Sequence, residues 1–128
     1  MRILHILDHG LPLQSGYTFR TRAIVTAQIA AGDHVAAVTG PRYHAGAPAC
    51  ETVDGIDFFR TAPIRGGGIA AEILSFARRI DAAVADFRPD VLHAHSPVIG
   101  ALAALLVARR RRLPLVYEIR AFWEDASV

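Results

Sequence analysis

Two histidines one residue apart, His93 and His95, stand in the apolar run Asp90-Val-Leu-His-Ala-His95. On a strand such a pair shares one face while Ala94 takes the other. An H-x-H pair can hold zinc, but no third ligand accompanies it at a recognisable spacing, so no metal site is expected. His93, inside the run, reads as a hydrogen-bonded core histidine. His95 ends the run against a helix N-terminus, where it is a candidate for contact with a bound hydroxyl or phosphate. The helix dipole would keep that imidazole neutral; the plainer alternative is a histidine packed beneath a cap.

A second cluster, Glu118, Arg120, Trp123, Glu124 and Asp125, falls within eight residues. Aromatic rings beside carboxylates suit a sugar, the rings stacking on its apolar face and the acids accepting its hydroxyl hydrogens. Alternatively Phe122 and Trp123 close the edge of a core. Glu118, near a strand's end, needs a partner if buried, and Arg120 or Arg20 can supply it. A third stretch, Asp8-His-Gly-Leu-Pro-Leu-Gln-Ser-Gly16, joins a strand to a helix N-terminus, whose free N–H groups and dipole attract anions. Gly16 would let a phosphate approach the backbone without a Cβ in the way. Neither G-x-G-x-x-G nor G-x-x-x-x-G-K is present, so Ser15 as an N-cap and Gly16 as relief of a turn stay open. Arg109 to Arg112 form a run at a helix C-terminus. They either offset the dipole in solvent or attach the domain to an anionic membrane, at about 1 kcal/mol per arginine near the headgroups.

The elements that must position these residues follow from periodicity. Arg2 to Leu7 is a short apolar run suited to a strand buried on both faces. Tyr17 to Ala31 is helical, with Gly32 as its left-handed stop. His34 to Thr39 is the second strand. Glu51 to Val53 and Ile56 to Arg60 form a hairpin around Asp54-Gly55, a type I′ turn signal. Ile69, Ile73, Phe76, Ile80, Val84 and Phe87 mark the buried stripe of a helix. The fourth strand is Asp90 to His95. Ser96 and Pro97 then cap a helix, with proline at its first helical position, that runs to about Arg109 and is apolar nearly all round, hence well buried. Leu113 to Ile119 is the fifth strand.

This rhythm predicts an α/β fold, a Rossmann-like, mostly parallel sheet with helices on both faces. With strand order 3-2-1-4-5, ligands sit at the switch between strands one and four, where the Asp8–Gly16 loop faces His95-Ser96. The 128 residues make one domain, and 52% hydrophobic content excludes disorder. A net charge of +2 is too small to indicate nucleic acid as a partner. Lysine is absent, so arginine carries every side-chain positive charge other than histidine's. A single cysteine, Cys50, rules out an internal disulfide and cysteine-based zinc motifs. The chain opens directly on a strand pattern, and its longest apolar stretch, Pro97 to Ala108, is too short to span a bilayer. A cytoplasmic setting, peripheral at the inner face of the membrane if the arginines engage it, is the expectation.

The stretch Arg2 to Arg22 resembles the start of bacterial family-four glycosyltransferases. Val53-Asp-Gly-Ile-Asp-Phe-Phe-Arg-Thr61, Asp90-Val-Leu-His-Ala-His-Ser-Pro97 and Leu115-Val-Tyr-Glu-Ile-Arg-Ala-Phe-Trp-Glu-Asp125 follow in the family's order. The branch associated with PEP-CTERM and exosortase systems, which serves exopolysaccharide assembly, is the most similar. The resemblance implies that residues 1–128 are the N-terminal, acceptor-side domain of a GT-B enzyme, with a donor domain carrying an E-x7-E motif beyond Val128. It implies retaining transfer of a sugar from a nucleotide-sugar donor to a glycan or lipid-linked acceptor, with no metal or other cofactor. Gly16, with Ser15 beside it, takes the position whose N–H meets the donor diphosphate, although the common family form has two glycines there. His95 matches a histidine on the acceptor side of the active site, and Asp8, His9, Tyr17, Arg120, Trp123 and Glu124 are the acceptor-binding candidates. Two other classes stay in view. One is a non-catalytic Rossmann-like module that binds a phosphorylated ligand or a protein. The other is a receiver-type domain, against which Asp8 stands alone and no Asp follows the third strand.

Overall fold

The apolar run at the start becomes the centre of the molecule. In the computed structural model, which describes residues 1–9, 16–42 and 48–119, it forms β1, Arg2–Leu7. There follow α1 (Gly16–Ala30), β2 (His34–Thr39), β3 (Cys50–Val53), β4 (Ile56–Arg60), α2 (Gly68–Phe87), β5 (Val91–His95), α3 (Val98–Arg111) and β6 (Leu115–Glu118). The six strands lie in the order β3-β4-β2-β1-β5-β6. All neighbours are parallel except β3 against β4, the hairpin. Its turn residues Asp54 and Gly55 have φ of 53° and 77°, the left-handed pair that a type I′ turn requires. At the end of α1, Gly32 has φ 97° and the Asp33 N–H reaches back to the Gln28 carbonyl at 3.0 Å, closing the helix as its glycine predicts.

Alternation along the central strands divides the interior in two. Leu4, Ile6, Ala36, Val38, Leu92 and Ala94 face α2 and α3, where Phe76, Ile80 and Val84 meet Ala103, Ala104 and Val107. On the other face Leu7, Ala37, Ile56 and Phe58 pack with Val25 of α1. Helices therefore cover both faces of the sheet.

Two sequence expectations for α3 need correcting. Ser96 does not cap it. The N-cap is Pro97, in extended conformation and with no side-chain cap bond, while the Ser96 N–H is taken by the Glu118 carbonyl at 3.0 Å. Nor is the helix buried all round. Its inner face is Gly100, Ala101, Ala103, Ala104, Val107 and Ala108, whereas Val98, Leu102, Leu105 and Leu106 are exposed. Small residues face inward because the helix lies close to the sheet: a Cβ on Gly100 would sit 3.4 Å from Ile6 Cγ2. Bulkier leucines would not fit that gap. Ser15, Arg120, Trp123 and Glu124 lie outside the described residues.

Candidate functional site

Strand order reverses between β1 and β5, and the carboxyl ends of both meet there. Leu7 ends β1, with Asp8 and His9 directly after it; His95 ends β5 and Glu118 ends β6. Parallel register sets His5 beside His93 and His95 beside Glu118. His5, His93 and His95 thus share the sheet face covered by α1, whose inward residues Thr18, Thr21, Val25 and Gln28 are mostly polar. A helix covering imidazoles needs polar atoms on its inner face, since buried polar groups must be hydrogen-bonded.

The contacts form a line across three strands. Glu118 Oε2 lies 3.4 Å from His95 Nδ1, and His95 Nε2 lies 2.7 Å from His5 Nδ1. His5 Nε2 in turn lies 2.7 Å from Gln28 Oε1 on α1. His93 is near-parallel to His95, at 4.3 Å between ring centroids, and its Nε2 is 3.8 Å from Glu118 Oε1. On the solvent side Arg20 Nε stands 3.8 Å from Glu118 Oε2, so of the two arginines that could pair with this carboxylate the described residues show Arg20. The side chain of His95 is fully buried and that of Glu118 is 28% exposed, so at the His95 end of the line the carboxylate reaches solvent, while Gln28 at the other end is half-buried.

Asp8 and His9 form their own pair at the same edge, His9 Nδ1 donating to Asp8 Oδ2 at 3.1 Å. The end of β2 closes against them: the Gly40 N–H meets the Leu7 carbonyl at 2.9 Å. A Cβ at Gly40 would approach Phe76 to 3.0 Å, so glycine keeps this corner tight. Gly16 opens α1 on the same side, at the start of the helix that follows β1. Asp8, His9, His95 and the N-terminus of α1 therefore gather where the sequence placed them.

The residue that sequence reasoning missed is His5. It supplies the third histidine that the H-x-H pair lacked, with one ligand atom from each ring lying within 4.8 Å of the others. The 2.7 Å separation of His5 Nδ1 and His95 Nε2 is a hydrogen-bond distance. Two nitrogens on one tetrahedral zinc, each at about 2.0–2.1 Å, lie farther apart. The arrangement as it stands is a proton-sharing line. The available signal was a polar residue in the middle of a strand otherwise apolar on both faces.

Residues 15–127 match the family described as Glycosyl transferase 4-like domain. The chain belongs to that family. The fold agrees with the assignment. This glycosyl transferase 4-like domain is similar to the sucrose-phosphate synthase of Thermosynechococcus elongatus, at a TM-score of 0.65 and 19% identity, over 92% of the chain and 32% of that structure. It is also similar to SsfS6, a glycosyltransferase of Streptomyces sp. SF2575, at a TM-score of 0.57 and 17% identity over 93% of the chain and 39% of that one. These are folds of the GT-B glycosyltransferase type. A deacetylase solved with teicoplanin shares the fold at a TM-score of 0.53 and 12% identity, over 90% of the chain and 68% of that structure, so architecture alone does not specify the chemistry. The domain spans about a third of the sucrose-phosphate synthase structure's length. No curated protein matches the chain in sequence.

Proposed function

We propose that this domain forms the acceptor-side half of a retaining glycosyltransferase that moves a sugar from a nucleotide-sugar donor to a glycan or lipid-linked acceptor. In the reaction the bond between the anomeric carbon and the donor phosphate breaks. A bond to an acceptor oxygen forms with the same anomeric configuration, and the acceptor's proton leaves with the nucleoside diphosphate. The observation that carries this reading is the family match over residues 15–127, joined to polar groups gathered at the β1/β5 switch point. Gly16, with Ser15, meets the donor diphosphate at the α1 N-terminus, where N–H groups and dipole favour negative charge. His95 and Glu118 line the acceptor side, with Asp8, His9, Tyr17, Arg120, Trp123 and Glu124 completing the acceptor-binding set. The nucleotide sugar is a substrate, and no separate cofactor takes part.

A donor domain outside these 128 residues completes the cleft, and exopolysaccharide assembly of the PEP-CTERM-associated kind is the setting. The enzyme works in the cytoplasm, peripheral at the inner face of the membrane, held there by the arginine run Arg109 to Arg112. The direct test compares the full-length enzyme with the 128-residue chain for release of nucleoside diphosphate from nucleotide sugars. Full-length protein should turn over and the chain alone should not. Turnover by the chain alone would show that no second domain is needed.

A further inference from the structure

The line of contacts from Glu118 inward has a direction. The Gln28 amide is oriented with Oε1 toward His5, and an amide oxygen only accepts, so in this orientation His5 Nε2 donates to it across 2.7 Å. A neutral imidazole protonated on Nε2 presents a lone pair on Nδ1. Across the 2.7 Å contact the donor is therefore His95 Nε2. The two rings are 18° from parallel, 5.0 Å between centroids, which suits an N–H···N bond lying close to both ring planes. The remaining nitrogen of His95, Nδ1, faces Glu118 Oε2 at 3.4 Å. A lone pair turned toward a carboxylate is unfavourable, so one proton belongs between them, on the imidazole or on the acid. Both His5 and His95 are buried, at 0% and 1% exposure, so water does not compete for these nitrogens.

We propose that His5 and Gln28 are positioning residues for a sugar-hydroxyl site. They hold the inner proton of His95 on Nε2 and turn Nδ1 toward Glu118. The resulting His95–Glu118 pair shares one proton, and its exposed member, the Glu118 carboxylate, accepts a hydroxyl of the acceptor. The ligand named here rests on the glycosyltransferase reading; the order of donors rests on the orientation of the Gln28 amide, a neutral His5 and the contact distances. Among the described residues, the other charged or titratable groups that face the pair are Arg20 of α1 and His93 of β5, each 3.8 Å from a Glu118 oxygen, and His5 of β1.

Two-bond 1H–15N spectra of the histidine-labelled chain read the proton on each ring nitrogen. Wild-type His95 should carry its proton on Nε2 at neutral pH. His5→Leu should give His95 a mixture of tautomers, and His5→Gln, whose carbonyl can accept, should restore the Nε2–H form. Gln28→Leu, a change on the half-buried side of a helix, should loosen the tautomer of His5 and gives a second reading if His5→Leu does not fold. An unprotonated Nε2 on wild-type His95 overturns the proposal. So do folded His5→Leu and Gln28→Leu proteins with unchanged histidine spectra. In the full-length enzyme His5→Leu should lower kcat about tenfold and shift the pH profile, with the donor KM unchanged and His5→Gln recovering most of the loss. An unaltered pH profile in an active His5→Leu enzyme rejects the positioning role. A wild-type enzyme without transfer activity rejects the glycosyltransferase reading instead, and the spectra still decide the proton order.

Discussion

Gly16 opens α1 on the edge of the sheet where Asp8, His9, His95 and Glu118 collect. In the proposed reaction a diphosphate lying across that N-terminus would take backbone N–H bonds that strengthen as the leaving group gains charge, which is how such donors lower a barrier. On the proposed reading a branched side chain at this position would hold the phosphate away. Gly16→Val in the full-length enzyme should therefore lower kcat/KM about a hundredfold, comparable to losing one oxyanion-type donor. Stability should fall by less than about 2 kcal/mol. Steady-state kinetics and urea unfolding on the one variant separate the two roles. A clear stability loss with near-normal turnover would make Gly16 an ordinary turn residue.

At the scale of elements, α2 and α3 are tied at their surface as well as through their core. Arg111 Nε and Nη2 bond the two carboxylate oxygens of Asp81 at 2.8 and 3.1 Å. Those hydrogen bonds hold the Asp81 carboxyl below its ordinary value; burial opposes them, and the charges of Arg111 and Arg110 add to the lowering. An acid depressed in the folded state adds stability above its ordinary range, and that stability is lost as pH falls through the folded value. Asp81→Asn should thus be less stable than wild type at pH 7, with the gap closing on acidification below the carboxylate range; urea midpoints across pH measure it. A constant gap would trace the loss to packing. Elements of this kind were largely legible in the sequence. β2 and the second hairpin strand fall on their expected residues, and the α2 stripe is buried at Phe76, Ile80 and Val84, although Ile69 is exposed. What periodicity could not show was which side of α3 turns inward. Its alanines and leucines are both apolar, and the closeness of the sheet selects the small ones. His5 and Gln28 were hidden for a related reason. Each is a polar residue whose partner lies on another element, so neither has meaning until β1, β5 and α1 are brought together.

For the molecule as a whole, the alternation of strands and helices implied a mostly parallel sheet, and the observed order β3-β4-β2-β1-β5-β6 puts the candidate site at the carboxyl ends of β1 and β5 and α3 on an outer face. That face is both apolar and basic. Val98, Leu102, Leu105 and Leu106 are exposed along it, at intervals of four, three and one residues, and Arg109 and Arg110 continue the same surface. A groove of about 290 Å³ beside them is lined by Leu74, Arg78, Leu106 and Arg110. Of the arginine run, Arg111 is committed to Asp81 and Arg112 forms the left-handed helix cap, which leaves Arg109 and Arg110 as the exposed charges on the helix itself. Among the described residues no helix is long and apolar enough to cross a membrane, so membrane contact through this face would be peripheral. The chain should co-sediment with vesicles containing anionic lipid and release as salt shortens the Debye length from its physiological value of about 8 Å. At about 1 kcal/mol for each arginine, Arg109→Gln with Arg110→Gln should weaken partitioning about thirtyfold. Leu105→Ser with Leu106→Ser should weaken it while keeping the salt dependence, because it removes insertion and leaves the charges. Binding that ignores lipid charge would reduce the arginines to dipole compensation. If the proposed donor domain exists, binding by the chain but not by the two-domain protein would mean that the donor domain covers α3.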